Sequence, residues 1–189
     1  MASILPFDEM DNLILRLRAM FPDGKLPPRQ DARAEEEDII DEMLDLFLLA
    51  CATGNAVTNE NLSSDWSLTV DDVSEIVDKK VAGKDWRSRV EEYFSSGGSV
   101  DDLVRIVETE THRDANEAAL ATAKRAGATR KTWSTMLDEK VRDTHSYLEM
   151  MTVGIDEDFY TYDGDHAPAP GMFDLAENNV NCRCELVFS

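Results

Sequence analysis

Residues 99–127, SVDDLVRIVETETHRDANEAALATAKRAG, decide the fold because they predict one long helix. Ser99 has a hydroxyl side chain that suits an N-cap, and two aspartates follow it, where negative charge favours a helix start. Gly127 suits the other end, because glycine adopts the left-handed conformation that commonly closes a helix. The apolar residues that open the helix are Leu103, Val104, Ile106 and Val107.

Beyond the long helix the sequence changes to short apolar pieces separated by Pro, Gly and Asp, which is typical of strands and turns. One strand is predicted to hold Trp133, Met136 and Leu137, and a second covers Met151–Ile155. The segment Asn181–Phe188 alternates in polarity like a half-buried terminal strand. The sequence therefore predicts an α+β fold, in which a helical N-terminal half and the long helix precede a small β-rich C-terminal cap.

Upstream of the long helix the strongest pattern is an apolar helix that carries Ile40, Leu44 and Phe47 on one face. Because this helix is apolar over much of its circumference, we expect it in a core or an interface. The Thr-Gly-Asn sequence around Gly54 predicts its end, and residues 55–68 are polar enough to predict a loop.

A short amphipathic helix with Trp86, Tyr93 and Phe94 precedes the clearest linker of the chain, Ser-Ser-Gly-Gly at 95–98. Serine and glycine in succession favour a flexible connection, so we place a domain boundary there. The predicted units are a helical region, 1–98, and a C-terminal domain, 99–189.

The 189 residues carry a formal charge of −20, from 39 acidic and 19 basic side chains. A field of this sign repels phosphate backbones and excludes sequence-independent DNA binding by the whole surface. The chain has no signal-like N-terminus and no apolar run of membrane-spanning length, so we expect a soluble protein without a membrane partner, cytoplasmic unless a particle encloses it. Its three cysteines, two of them near neighbours, indicate a reducing compartment.

His145, His166, Cys182 and Cys184 are residues of the types that bind zinc. One interpretation is a tetrahedral zinc site that His166 completes. The other is that both cysteines point inward and pack, while Arg183 between them points outward or pairs with an acid. Because two cysteines that share one face of a strand splay poorly for chelation, we favour packing and expect no cofactor.

Asp138, Arg142 and His145 permit an acid–base interpretation, because a carboxylate that orients a histidine is a common catalytic device. The same arrangement also locks turns in proteins that catalyse nothing. Since no serine or cysteine nucleophile motif lies nearby, we expect a structural network without catalytic residues, and not an enzyme.

Motif residues recur in a fixed order over about residues 100–189. In chain order they are Thr109, Glu110, Arg113, Asn116, Lys131, Trp133, Asp138, Arg142, His145, Asn181, Cys182, Arg183 and Cys184. This order resembles the C-terminal domain of the phage Mu F-like, SPP1-type minor head protein family. Glu110 and Arg113 are three positions apart on one helix face, so we expect them to pair.

The resemblance implies a non-enzymatic minor head protein of a tailed phage or prophage that acts in head morphogenesis. Such a protein is expected in the virion, in the capsid interior, after assembly in the host cytoplasm. Its partners would be the portal protein and other head proteins, with packaged DNA close by. We expect the helical region to dock on a partner through six apolar residues: Ile40, Leu44, Phe47, Trp86, Tyr93 and Phe94.

Two other functions stay open at this stage. Mu F-like domains also occur joined to toxin domains, so one alternative is an effector-type domain with nuclease-like or transferase-like activity. Another is an acidic DNA-mimic inhibitor, which requires carboxylates at phosphate-like spacing along one face.

Overall fold

The computed structural model describes residues 4–80 and 83–189, and it confirms the predicted α+β fold. The helices and strands in chain order are α1 (Phe7–Met20), α2 (Arg33–Leu62), α3 (Val70–Val77), α4 (Trp86–Ser96), α5 (Val100–Arg125), β1 (Arg130–Ser134), α6 (Asp143–Ser146), β2 (Thr152–Gly154), β3 (Phe159–Tyr160), β4 (His166–Ala167), α7 (Ala176–Asn179) and β5 (Glu185–Phe188). No helix in the described ranges is both long enough and apolar enough to cross a membrane.

The predicted long helix is α5, and its start is a capping box. The Ser99 hydroxyl accepts a hydrogen bond from the Asp102 amide at 3.2 Å, and the Asp102 carboxylate accepts one from the Ser99 amide at 2.9 Å. At the other end, Gly127 has a φ of 83°, the left-handed conformation expected after a helix. The boundaries predicted from these residues are confirmed.

Helix α2 is longer than the sequence predicts, because Gly54 does not end it. A side chain at Gly54 would collide with the backbone carbonyl of Ala115 on α5, so this glycine permits the two helices to pack closely. The helix ends only at Ser63, which adopts a left-handed φ of 52°. The predicted helix end at Gly54 is wrong, and so is the predicted loop as far as Leu62.

Helices α1, α2, α3, α4 and α5 contribute most residues of the larger hydrophobic core, and those on α5 come mainly from its first half. Within it, Phe47 of α2 meets Trp86 of α4 edge to face, with ring centroids 5.0 Å apart. The core draws residues from both sides of the 95–98 linker, so the two predicted units share α5 in their packing. The division at residue 98 stays a prediction about the sequence.

This core also corrects the predicted docking surface. Phe47, Trp86 and Phe94 are each 0% exposed, because α4 covers the apolar face of α2 within the same chain. Ile40, Leu44 and Tyr93 are half-buried and pack against the same core. An apolar stripe at helical spacing is thus buried by the nearest helix of its own chain, and a partner does not reach the three aromatic rings.

A smaller core fills the C-terminal cap under a three-stranded antiparallel sheet with the strand order β2–β1–β5. Trp133 on the central strand is fully buried, and its ring contacts Phe159 and Phe173 at centroid distances of 5.1 and 5.7 Å. The strand predicted around Trp133 is confirmed, but it ends at Ser134. Met136 and Leu137 lie beyond it and are exposed.

Candidate functional site

Three buried side chains with metal-binding atoms meet between α6 and the segment that precedes β5. The Nδ1 atom of His145 lies 3.4 Å from the Sγ atom of Cys184 and 3.6 Å from that of Cys182. The three ligand atoms all lie within 4.8 Å of one another. In the described part of the chain, no other group of three His, Cys, Asp or Glu residues is close enough to hold a metal ion.

Aromatic rings hold the imidazole of His145 in place. Trp133 meets it edge to face and Phe173 stacks on it, both with ring centroids 5.4 Å away. The backbone of His145 is held as well, because its amide donates a hydrogen bond to the Arg142 carbonyl at 3.0 Å in the single turn of α6. The imidazole therefore has little freedom to turn Nδ1 away from the thiols.

Two arginines hold the segment that carries the thiols. The Arg142 guanidinium donates to the carbonyls of Asn178 and Val180, at 3.3 and 2.5 Å. Arg183 donates two hydrogen bonds to the Asp138 carboxylate, at 2.8 and 2.7 Å. The expectation that Arg183 pairs with an acid while the flanking cysteines point inward is confirmed.

The cysteines lie in an irregular segment and not in the terminal strand predicted from Asn181 onward. Asn181 has a left-handed φ of 55°, and β5 begins only at Glu185. The geometry of a regular strand therefore does not apply to Cys182 and Cys184, and their thiols converge on one histidine. The sequence argument that two such thiols splay apart is wrong for this reason.

The two thiols are electrostatically coupled. Their mutual hydrogen bond lowers the pKa of Cys182 and raises that of Cys184, and burial raises the pKa of Cys184 further. Because the two thiols share a hydrogen bond, the pair loses its protons in two steps, and the second proton is harder to remove than the first.

His166, which the sequence placed in the same site, lies elsewhere. It is on β4 with 45% of its side chain exposed, and its Nδ1 atom is 2.9 Å from a carboxylate oxygen of Asp158. Its ring also packs against Tyr160 at a centroid distance of 5.1 Å. Of the four predicted ligands, the structure brings three together and leaves His166 outside.

A different histidine, His112 on α5, was not assigned to this site from the sequence. It is 3% exposed, and neither ring nitrogen has a hydrogen-bond partner among the described residues. Burial, with smaller electrostatic contributions from the neighbouring His145 and Arg183, lowers the pKa of His112 to about 4, so it is neutral near pH 7. The feature of the sequence that could have identified His112 is its spacing with Ala115 and Ala119, because this spacing indicates a tightly packed helix face.

Residues 54–187 match the model of the family described as Phage Mu protein F like protein. The match covers well over half of the chain. The chain belongs to this Mu F-like family. The match begins at Gly54, so it includes the last nine residues of α2 and all of α3 and α4, a region in which the sequence motifs gave no resemblance.

Two curated relatives show how far the likeness extends. Minor head protein GP7 of Bacillus phage SPP1 is 34% identical over 83 residues, which cover 42% of this chain and 27% of GP7. An enzyme of Enterococcus faecalis, NAD(+)–arginine ADP-ribosyltransferase EFV, is 34% identical over 93 residues, which cover 47% of this chain and 19% of the enzyme. The chain thus spans less than a third of either relative. No solved structure matches it significantly.

On α5 the Mu F-like motif residues form a buried ionic network. Arg113 pairs with Glu110, which confirms the predicted pair, and it also contacts the Asp114 carboxylate at 2.6 Å. Arg89 of α4 adds a second cation to Glu110 at 2.5 Å. Burial raises the pKa of Asp114 to about 8 in spite of the neighbouring arginine. The network ties α4 to α5 beside the cap.

Other motif residues join α5 to the cap directly. The Asn116 amide donates to the Cys184 carbonyl at 3.2 Å and to the His112 carbonyl at 3.0 Å. Gly171 lies so close to α5 that a Cβ there would come within 3.1 Å of the Arg113 backbone. Thr109 places its hydroxyl on the buried side of the helix, where it has no hydrogen-bond partner among the described residues.

Lys131 is a structural cation at the centre of the sheet. Its ammonium donates to the Pro168 carbonyl at 2.7 Å and lies 5.5 Å from the centroid of the Phe159 ring. Burial lowers the pKa of Lys131 to about 8. The lysine therefore fastens β1 to the loop after β4 and is not available at the surface.

The residues of the acid–base interpretation do not act on one another. Asp138 is bonded to Arg183, Arg142 is bonded to backbone carbonyls, and His145 faces two thiols. A general base needs hydrogen-bond reach to the group it deprotonates and, in this arrangement, a carboxylate to orient it. The geometry of the site suits the holding of an ion better than the transfer of a proton.

Proposed function

We propose that this chain is a non-enzymatic minor head protein of a tailed phage or prophage that acts in head morphogenesis. The observation that carries the proposal is the family match over residues 54–187. The 34% identity with the SPP1 minor head protein supports it, since that relative is named for this role. The Asp138 carboxylate is bonded to Arg183 and not to His145, which fits a structural task for the cap.

We place the protein inside the capsid, where the portal and other head proteins are its partners. The protein lies close to the packaged DNA without binding it directly, because a chain with a charge of −20 is repelled by phosphates. Lys124, Arg125 and Lys131, the residues of the densest basic stretch of the sequence apart from Arg130, are also engaged within the fold. Lys124 pairs with Asp156, Arg125 pairs with Asp72, and Lys131 is buried.

A cleft between α1 and α2 supports contact with a head protein. Its lining combines leucines with acidic side chains, and Leu49 at its edge is 38% exposed. A partner that offers apolar side chains with basic neighbours complements this cleft in both shape and charge. The residues that line it are Glu9, Asn12, Leu13, Arg16, Glu42, Asp45, Leu46 and Leu49.

Deletion of the gene tests the role in head morphogenesis. We expect particles with altered protein composition, less packaged DNA or failed DNA delivery, and complementation with the wild-type gene restores all three. Particles that are unchanged in every one of these properties contradict the proposal.

A substitution then tests the α1–α2 cleft as the docking surface. Leu49→Asp places a charge on an exposed edge and should reduce incorporation into particles without changing the melting temperature. Leu15→Asp is the matched control, because Leu15 is 66% exposed on α1 and does not line the cleft. Equal incorporation of both variants contradicts docking through this cleft.

A second candidate function is favoured by the match to the ADP-ribosyltransferase. In that case the chain is the Mu F-like part of an effector. The test incubates the purified chain with NAD+ and an arginine-containing protein and follows the transfer of ADP-ribose. Turnover favours the effector, whereas absence of turnover together with presence in particles favours the head protein.

A further inference from the structure

The three ligand atoms of His145, Cys182 and Cys184 already have the spacing of ligands around one metal ion. With Zn–S bonds of about 2.3 Å and Zn–N bonds of about 2.0–2.1 Å, tetrahedral angles place a nitrogen and a sulfur ligand about 3.6 Å apart. The observed distances from His145 Nδ1 to the two sulfurs are 3.4 and 3.6 Å. We propose that these three residues bind one Zn²⁺ ion and fasten the C-terminal cap.

The chemistry of the ligands selects the metal. One imidazole and two thiols form a soft set that suits zinc, whereas calcium and magnesium require oxygen ligands. Zinc also binds cysteine as the thiolate, so binding releases the thiol protons to solvent. Two thiolates and one Zn²⁺ ion leave the group neutral, which suits a site whose three residues are each at most 5% exposed.

Basic side chains near the site favour the thiolate form of Cys182. A small cavity of about 10 Å³ is lined by all three ligand residues, and it is roughly the size of one ion or water molecule. The other charged residues that line it are Lys140, Arg142 and Arg183, all of them basic in a chain that is otherwise strongly acidic. Cations beside a cysteine stabilise its thiolate.

The fourth position of the ion lies on the side of a larger cleft. This cleft, of about 440 Å³, shares Cys182, Arg142 and Asn181 with the small cavity, and His112 lines it as well. Water from the cleft completes the tetrahedron, since Cys182 lines both the cleft and the small cavity. His166 is not part of this group of ligands, and its Nδ1 atom is bonded to Asp158 instead.

The ion would add a link between two parts of the cap that side-chain hydrogen bonds already join. It joins α6 to the segment before β5, two elements that lie 37 and 39 residues apart in sequence at the ligand positions. It also supports the contact from Asn116, because this residue donates to the Cys184 carbonyl. Metal binding to the folded state alone raises the stability of that state.

The test uses the full chain, purified under reducing conditions without chelators. We expect close to one zinc ion per chain by mass spectrometry of the metal content, and a melting temperature that a strong chelator lowers by more than about 5 °C. Replacement of the zinc by Co²⁺ should give the visible absorption of a tetrahedral ion and a thiolate charge-transfer band.

Matched variants identify the ligands. Cys182→Ala and His145→Ala should weaken zinc binding by at least about tenfold, the range seen when a metal's immediate environment is disrupted. Cys51→Ala and His166→Ala are the controls, one for each residue type, and both should retain the ion. Should a ligand variant fail to fold, the cobalt spectrum of the wild-type chain still decides the question.

The proposal is overturned by a reduced, folded wild-type chain that takes up less than about one-tenth of an equivalent of zinc when the ion is supplied. It is equally overturned if the ion is retained in both ligand variants, or if Co²⁺ produces no thiolate band. None of these measurements requires particles, so the result is independent of the proposed role in the phage head.

Discussion

Trp86 and Trp133 are both 0% exposed, yet they have different structural roles in the two halves of the molecule. Trp86 packs against Phe47 and fills a core made by helices that follow the apolar periodicity of the sequence. Trp133 packs against an aromatic ring on one side and against His145 on another, so it positions a polar group. Burial alone does not distinguish volume filling from the positioning of a site.

The same contrast divides α5 along its length. Its first turns bury Leu103 and Val107 in the helical core, whereas its middle buries the polar side chains of Glu110, Arg113 and Asp114 in contact with one another. Apolar contacts stabilise the helical region and tolerate small changes in side-chain shape. The charged side chains in the middle of α5, by contrast, require partners at defined positions. The cap should therefore be the more sensitive of the two regions to substitutions that conserve volume.

The largest effect is expected from the two tryptophans. Trp86→Ala and Trp133→Ala should each lower the free energy of unfolding by about 3–5 kcal/mol, because each leaves a large cavity. Chemical denaturation measures both losses. Only Trp133→Ala should also lower zinc uptake, since it frees the His145 ring. Equal zinc uptake in both variants would remove the distinction between the two cores.

Arg113→Met tests the buried ions of α5. It leaves Glu110 and Asp114 without this cation in a fully buried setting, so we expect a loss of about 3–5 kcal/mol in the free energy of unfolding. Arg16→Met is the control, because Arg16 pairs with Glu42 at the surface and should contribute less than about 1 kcal/mol. Similar losses in the two variants would show that the network adds nothing beyond a surface pair.

The pH dependence of stability tests the buried, neutral state of His112. Its pKa is about 4 in the folded chain and 6.5 in the unfolded chain, so only the unfolded chain gains a proton between these values. Its contribution is complete above pH 6.5 and is lost as the pH falls towards 4, by about 3 kcal/mol. In the presence of a chelator, wild type should lose this much more stability than His112→Leu between pH 7 and pH 4. Parallel pH profiles would contradict the assignment.

A smaller effect is expected where α2 crosses α5. Gly54→Ala directs a methyl group into the Ala115 carbonyl, so the helices must separate, at a cost of about 1–3 kcal/mol. Ala52→Gln, at a neighbouring exposed position, should change the free energy of unfolding by less than about 0.5 kcal/mol. A neutral Gly54→Ala would mean that the close approach is not required.

Local signals predicted the parts of the fold that depend on local interactions. The capping residues Ser99 and Asp102, the terminal Gly127 and the strand around Trp133 are where the sequence places them. The end of α2 was missed because Gly54 meets a helix that is distant in sequence, and no local pattern separates this role from a helix stop. The docking face was misassigned for the same reason, since an apolar stripe does not reveal which helix covers it.

Much of the candidate site was predicted as residue types but not as an arrangement. His145, Cys182 and Cys184 were recognised as possible ligands, and Arg183 was expected to pair with an acid. The convergence of the thiols depends on the left-handed Asn181 and on the contact from Asn116, which only the folded chain supplies. The sequence did not identify His112 as a site residue, because its type does not distinguish it from the polar residues around it. Its burial distinguishes it, and burial is known only from the folded chain.

The role in the phage head is tested most directly by the amount of this chain in purified, nuclease-treated particles of the phage or induced prophage that encodes it. Quantitative mass spectrometry should detect it at low copy number alongside the portal and the major head protein. Its absence from particles, while the infected or induced host still expresses it, would contradict the assignment as a minor head protein.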